Sequence, residues 1–452
     1  MKGVQILNSV AVISLGCPKN LVDSENMLGL IKEGNFIITD NYRKAEVIII
    51  NTCGFIESAK EESINTILEM TEHKITGECK VLIVVGCLVQ KYQKELKQEI
   101  PEIDALLGTN NYHEIIEAIN KTLNKEKVIK VNAKHTQQYF ELPRHLVTSK
   151  HYAYLRIAEG CDNRCSYCTI PEIRGPFRSR PMENIINEAK YLVSLGVKEI
   201  ILVAQDTTQY GKDIYQELRL ASLLQELCKI SEVRWIRLLY CYPNYFSDNL
   251  IEVIKDEPKI CKYIDLPLQH VDNSILKRMG RNITQEEIKS LIKKLRDNIP
   301  EIIIRSTFIV GFPGESQENF HNLLEFLQEV KLDRVGAFSY SQEDNTPAGK
   351  MANQITNNSK IKRLNKLMEL QYQILLEKHR QYIGKEITVQ VDGIADDNND
   401  LWVCRSTGEA PEIDPVILVF TQDRLIPGQL LTVKITHLQD YDLIGEIYCE
   451  LT

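Results

Sequence analysis

Three of the twelve cysteines stand close enough to act together: Cys161, Cys165 and Cys168, in the string Cys161-Asp162-Asn163-Arg164-Cys165-Ser166-Tyr167-Cys168. This C-x3-C-x2-C spacing lets one loop offer thiolates to three corners of a cubane iron–sulfur cluster, leaving its fourth iron without a protein ligand. An open iron can bind a small molecule. A zinc loop is the competing use of three thiols, but structural zinc closes a shell of four ligands, and His151 is the one nearby candidate for the fourth.

A second trio is united by context rather than by spacing. Cys17, Cys53 and Cys87 each follow an apolar run directly, in Leu15-Gly16-Cys17-Pro18, Asn51-Thr52-Cys53-Gly54 and Val85-Gly86-Cys87-Leu88. If those runs are parallel strands of one sheet, their C-terminal ends meet at one edge, where such folds bind ligands. Glycine beside each cysteine allows close backbone approach. The competing use is packing, since buried cysteine is a common core residue. Cys79, Cys228, Cys241, Cys261, Cys404 and Cys449 share no such arrangement and read as packing residues or inert thiols, Cys241 being the least settled because it follows a strand.

Positioning these groups needs particular elements. Residues 10–15, 46–50 and 81–85 are apolar without polar alternation, the pattern of buried parallel strands. Residues 24–33 and 57–71 carry Ile, Leu and Met at helical spacing. The expectation is a doubly wound N-terminal α/β domain over residues 8–134. After a polar stretch around Pro143, strand-like runs recur at 153–158, 199–204, 233–240, 263–266, 302–309 and 335–340. Six βα units over residues 147–380 predict a partial, open (βα)6 TIM-like barrel. A helical segment, 359–382, hands over to short alternating strands such as 386–391 and 431–435, which predict a small antiparallel β-barrel over residues 381–450.

Composition sets the remaining bounds. With 43% apolar and 26% charged residues over 452 positions, the chain reads as an ordinary globular protein of two or three domains. Irregularly spread cysteines fit a reducing compartment better than a disulfide framework. The stretch ending Ser14-Leu15-Gly16-Cys17 has a superficial likeness to a lipoprotein signal, but Asn8 and Ser9 interrupt it. No run approaches the ~20 apolar residues that span a bilayer, so a cytoplasmic, membrane-free protein is expected. Net charge is −8 overall, unevenly spread: from Gln381 onward 4 Lys and Arg face 13 Asp and Glu, a net of −9. An acidic module is expected to repel RNA and to attract a basic protein; a merely solvated surface is the alternative.

The C-x3-C-x2-C loop with Tyr167 before its last cysteine, placed after the first strand of a six-unit βα series, resembles the radical S-adenosylmethionine (SAM) superfamily. The first-domain trio and the terminal barrel extend that resemblance, along essentially the whole chain, to the methylthiotransferase family, whose third domain is called TRAM. The strings Gly16-Cys17-Pro18-Lys19-Asn20-Leu21-Val22-Asp23-Ser24, Val203-Ala204-Gln205-Asp206-Thr207-Thr208 and Arg237-Leu238-Leu239-Tyr240 resemble the RimO branch. That branch modifies the β-carbon (C3) of an aspartate in ribosomal protein uS12. The tRNA-modifying MiaB branch typically has Gln-Met-Asn and Gly-Gln-Asn-Val-Asn at the first two strings, and this chain has neither.

The resemblance implies that Cys17, Cys53 and Cys87 hold an auxiliary 4Fe-4S cluster and that Cys161, Cys165 and Cys168 hold the catalytic, SAM-cleaving one. It implies two SAM molecules per turnover, one supplying a methyl group to sulfur and one a 5'-deoxyadenosyl radical. It also implies an electron donor such as flavodoxin or ferredoxin. Around the expected barrel mouth, Gln205, Asp206, Gln269, His270, Arg305, Gly311 and Glu315 follow or occupy strands. Arg305 is expected at the SAM carboxylate, and Gln205, Gly311 and Glu315 are further SAM-contacting candidates. His270 alternatively is a hydrogen-bonded structural residue, and Glu315 a helix cap. Arg174, Arg178 and Arg180 read as a solvated basic loop, with balancing of cluster charge or contact with the substrate aspartate as alternatives. Two other functions share these features: methylthiolation of tRNA, and a non-catalytic iron–sulfur scaffold. Formation of 5'-deoxyadenosine separates the scaffold from the enzymes.

Overall fold

The computed structural model describes residues 8–131, 142–395 and 400–451. The first sheet is parallel throughout, with strands β1 (Ser9–Ser14), β2 (Ile37–Ile38), β3 (Val47–Thr52), β4 (Val81–Gly86), β5 (Ala105–Leu107) and β6 (Val128–Lys130) in the order β2-β1-β3-β4-β5-β6. Its central strands β3 and β4 are buried at every position, which explains their unbroken Val and Ile content. Helices cover both faces: Met27 and Ile31 pack with Ile115 and Ile119 on one side, and Ile67, Met70 and Leu88 pack on the other. The apolar segment that resembled a signal is therefore β1, a strand buried at Val10 and Ala11. The expected first boundary at 134 and residues 1–7 lie outside the described residues. No described helix is long and apolar enough to cross a membrane.

The second sheet runs through β7 (Tyr152–Arg156), then, after the short pair β8 (Ala158–Glu159) and β9 (Arg178–Ser179), through β10 (Glu199–Val203), β11 (Trp235–Leu238), β12 (Ile260–Asp265), β13 (Ile303–Val310) and β14 (Arg334–Ser339). All its pairings are parallel, in sequential order from β7 to β14, so this is the expected open barrel of six strands. Leu21 and Val22, from the helix Pro18–Glu33, enter one end of the interior, and Ala410 of the C-terminal module enters with Tyr263 and Tyr152. Both ends are thereby filled by other parts of the chain.

The C-terminal module is a closed five-stranded barrel of β15 (Glu386–Ile394), β16 (Leu401–Arg405), β17 (Ile417–Phe420), β18 (Leu430–Gln439) and β19 (Asp442–Leu451). It departs from the expected all-antiparallel pattern in one place: β17 pairs with β19 in parallel, which closes the barrel. Its acidic residues are not simply a solvated face. Arg405 donates to Glu199 at 3.0 Å and also holds Asp392; Arg334 donates to Glu409 at 3.0 Å, and Tyr263 to Asp414 at 2.6 Å. Glu409 and Asp414 of the module, and Glu199 of the barrel held by Arg405, thus join the module to the barrel's entry end.

Candidate active site

Cys17 caps the N-terminus of the helix Pro18–Glu33 directly after β1, Cys53 follows β3, and Cys87 opens the helix Cys87–Glu99 after β4. The sheet order puts β1 and β3 side by side and β4 next to β3, so topology alone gathers these three at one edge. Close approach is enforced at Gly16, whose φ is +89° and where an added Cβ would lie 2.8 Å from Cys53 Cβ. Asn20 ties the strand ends together by donating to Leu15 O and Thr52 O at 3.1 and 3.0 Å. Burial pushes the Cys87 thiol up to about 12, against the opposing pull of Arg174 and with added repulsion from Cys17 and Cys53. Burial likewise raises Cys53, which also senses Cys17.

The second trio lies in the loop that follows β8. Hydrogen bonds staple this loop to the barrel: Cys161 N donates to Gly175 O at 3.1 Å, Ser166 N to Met279 O at 2.8 Å, and Asn163 Nδ2 to Asp206 Oδ2 at 2.9 Å. Burial pushes the Cys161 thiol up to about 12, with Asp206 and Cys165 adding repulsion. Burial also raises Cys168, next to Cys165, against Arg281. Arg281 Nη1 lies 4.0 Å from Cys165 Sγ. Among the described residues no three His, Cys, Asp or Glu side chains converge as on a single metal ion. A cubane holds its thiolates further apart than one ion does. Mutually repelling thiols, half-buried except for the buried Cys87, with a guanidinium alongside fit such a cluster, because bound iron supplies the positive charge that deprotonated thiols need.

Arg174 reaches the first trio from the segment that follows the second. It follows the Cys168 loop, its Nη2 donates to Cys87 Sγ at 3.6 Å and to Asn20 Oδ1, and its Nη1 donates to Asp23 Oδ2 at 3.0 Å and to Glu159 Oε1 at 3.2 Å. Arg156 joins the same two carboxylates from β7. The expected solvated basic loop is thus corrected: Arg174 and Arg180 are buried, Arg180 pairing with Glu188 at 2.6 Å. Asp23 lies 151 residues from Arg174, and Glu159 and Glu188 belong to other elements, which is why the loop looked unpaired. Replacing Arg174 by Met should destabilise the protein by about 3–5 kcal/mol, because Asp23 and Glu159 would remain buried with half their counter-charge gone. Chemical denaturation with urea checks this.

The same network sets an acid limit. Burial would raise Glu159, but Arg174, Arg156 and Arg178 outweigh it and hold its carboxyl at about 2, below the ordinary 4.5. A depressed folded-state value means the stabilisation is complete above pH 4.5 and is lost as pH falls toward 2. Thermal unfolding followed between those limits should show a falling midpoint, less steep in the Glu159→Gln variant because Glu188 and Asp272 are depressed as well.

The other expected site residues are placed as follows. Gln205 follows β10, donates to Glu159 Oε1 at 3.0 Å, and leaves its own buried Oε1 without a hydrogen-bond partner. Asp206, buried and raised by burial, accepts from Asn163, Thr208 and Gln209, so it orients the cysteine loop. Gln269 continues the sheet edge by bridging to Phe308. His270 is fully buried and pushed down to about 4 by that burial; its Nδ1 accepts from Asp272 N at 3.0 Å, the structural arrangement. Glu315 Oε2 accepts from Gly311 N and Phe312 N, tying the turn after β13, while Ser316 rather than Glu315 caps the next helix.

Arg305 is the third residue of β13 and is committed elsewhere, donating to Asp265 Oδ1 at 3.0 Å and pairing with Asp414 of the C-terminal module at 3.4 Å. The structure does not bring it to Cys161, Cys165 or Cys168. Two residues with no expected role stand at the mouth instead. Lys19 lay inside a quoted string and places its Nζ 3.4 Å from the Tyr240 ring centroid; Arg281, with no local signal, stacks on Tyr242.

Comparison with known proteins agrees with this arrangement. The radical SAM superfamily matches residues 155–327, uncharacterized protein family UPF0004 residues 9–108, and the TRAM domain residues 383–447. The chain is 52% identical to the ribosomal protein uS12 methylthiotransferase RimO of Desulforamulus reducens, over 97% of this chain and 99% of that protein. It is 48% identical to that of Lachnoclostridium phytofermentans, over 96% and 98%. Among solved structures, the radical SAM methyltransferase TsrM of Kitasatospora setae shares the fold with a TM-score of 0.56 at 12% identity, covering 86% of this chain and 79% of that one. Near-complete coverage at such identity, joined to a cysteine loop at the mouth of a six-stranded parallel barrel, establishes that the chain belongs to the RimO family of radical SAM methylthiotransferases.

Proposed function

We propose that this enzyme methylthiolates C3 of an aspartate in ribosomal protein uS12, using two 4Fe-4S clusters that face one cavity. What supports the reading is that Arg174, six residues after Cys168 in the chain, donates to Cys87 Sγ of the first domain. In this reading residues 8–134 hold the auxiliary cluster through Cys17, Cys53 and Cys87. Residues 147–380 form the radical core with Cys161, Cys165 and Cys168, and residues 381–450 are the TRAM domain. When bound, the clusters and SAM supply one-electron chemistry and the methylthio unit.

The chain's own residues do the rest. Asp206 and Ser166 hold the cysteine loop against the barrel so that one cluster corner stays free of protein ligands. Gln205 offers its unpartnered Oε1 to SAM at the exit end of β10, and the turn tied by Gly311 and Glu315 brings backbone to the exit end of β13. The packed barrel interior excludes water from below. Radical chemistry suits the target, because no side-chain base removes a C–H proton beside an ionised carboxylate at neutral pH. Flavodoxin or ferredoxin is the electron donor in this scheme, and the ribosomal substrate places the reaction in the cytoplasm. Glu386, Asp423, Asp440 and Glu446 remain exposed on the C-terminal barrel and give a basic protein an acidic surface to meet.

The test is mass spectrometry of uS12 and of bulk tRNA after anaerobic incubation with reconstituted enzyme, SAM, sulfide and reductant. A methylthio group on an aspartate of uS12 and none on tRNA is expected. Its appearance on tRNA alone overturns the substrate assignment.

A further inference from the structure

We propose that the Lys19 ammonium is the group that receives the carboxylate of the substrate aspartate; this rests on the preceding reading that the substrate is a protein aspartate. Lys19 lies two residues after Cys17, in the first turn of the helix that enters the barrel mouth. It is 6% exposed, and its Nζ sits 3.4 Å from the ring centroid of Tyr240, the second residue beyond β11. It therefore stands between the auxiliary trio and the barrel.

What distinguishes Lys19 is the lack of a bonded carboxylate: Cys17, Glu159 and Asp265 act on its charge from a distance, but none pairs with it. Arg156 and Arg174 share Asp23 and Glu159, and Arg305 has Asp265 and Asp414. Arg281 spends a donor on Pro267 O. Lys19 Nζ makes no ion pair and no hydrogen bond among the described residues; its one close partner is the aromatic face. Burying an ammonium without a hydrogen-bond acceptor is costly, and a ring face offsets only part of that cost. The three N–H donors of this confined cation are therefore not committed to a carboxylate of the chain among the described residues.

The platform beneath it is fixed. Tyr240 has φ +58°, uncommon for a residue with a side chain, and is pinned by its N–H to Asp265 Oδ2 at 2.9 Å and by its carbonyl, which accepts from Thr207 N at 3.0 Å. A carboxylate on Lys19 would leave C3, one bond away, between the two trios. The same contact selects aspartate over its neutral amide, since the amide oxygen still accepts a hydrogen bond but the ion pair with the buried cation is lost.

A double-substitution cycle on the full-length reconstituted enzyme tests this. Binding of isolated uS12 is measured with its target aspartate intact or replaced by asparagine, against wild type, Lys19→Met and Lys19→Arg. Wild type should bind the aspartate form about 10–100-fold more tightly than the asparagine form. Lys19→Met should weaken the aspartate form by a similar factor and lose the preference, whereas Lys19→Arg should keep it. Iron content and circular dichroism identify a variant that fails to assemble, in which case Lys19→Arg against wild type carries the comparison through its retained preference. Retention of the full preference by folded Lys19→Met overturns the proposal, as does a preference lost equally in Lys19→Arg. If the wild type fails to modify the aspartate form at all, the underlying substrate assignment falls and this inference with it.

Discussion

Replacing any one of Cys161, Cys165 and Cys168 by alanine is expected to remove 5'-deoxyadenosine formation entirely and to halve the iron that reconstitution restores. In the proposed reading these thiols close three corners of one cluster, and the loop offers no substitute: Asp162 accepts from Phe177 N, Ser166 donates to Arg278 O and Asn163 donates to Asp206. A cluster missing one ligand loses the geometry that leaves a single iron open. The rate should fall by at least about 10⁶-fold, the low end of what an enzyme contributes over the uncatalysed reaction. Fold stability should change little beyond the loss of a small buried group, because Asp206, Ser166 and Cys161 N anchor the loop through backbone and non-cysteine contacts. Chromatographic measurement of 5'-deoxyadenosine with parallel iron analysis checks both halves.

Replacing Cys17, Cys53 or Cys87 should have a different signature. About half the iron should again be lost, yet the absorbance and reduced-state EPR signal of the radical-core cluster should survive, since its ligands and their supports lie in the barrel. Methylthio product should fall to background, a loss comparable in scale to the first, because the group to be transferred has no carrier. Cys87→Ala should be the most disturbing of the three for the junction, because Arg174 Nη2 and Asn20 Oδ1 both meet its sulfur. Product formation undiminished in any of the three would remove the auxiliary cluster from the account.

The two trios were legible for different reasons. Cys161, Cys165 and Cys168 announce themselves by spacing. Cys17, Cys53 and Cys87 do so only once the runs before them are read as neighbouring parallel strands, a reading that sheet order β1-β3-β4 bears out. What sequence hid was pairing at long range. Arg174 and Arg180 looked like a solvated loop because Asp23, Glu159 and Glu188 come from three separate elements. Arg305 looked free for a ligand because nothing local shows that Asp414, over a hundred residues later, enters the barrel from the opposite side. The acidity of the last domain pointed outward in sequence, while Asp392, Glu409 and Asp414 turn inward onto arginines. Alternation likewise gave the strands of the last barrel but not their order, so the parallel β17-β19 closure was invisible.

Hydrogen abstraction from the target carbon is the central claim, and isotope transfer reads it directly. The measurement is mass spectrometry of 5'-deoxyadenosine formed from wild-type enzyme and uS12 whose target aspartate carries deuterium at C3. The account predicts one deuterium in the 5'-deoxyadenosine together with a methylthio group on that same aspartate. Unlabelled 5'-deoxyadenosine accompanying a methylthiolated aspartate would contradict it.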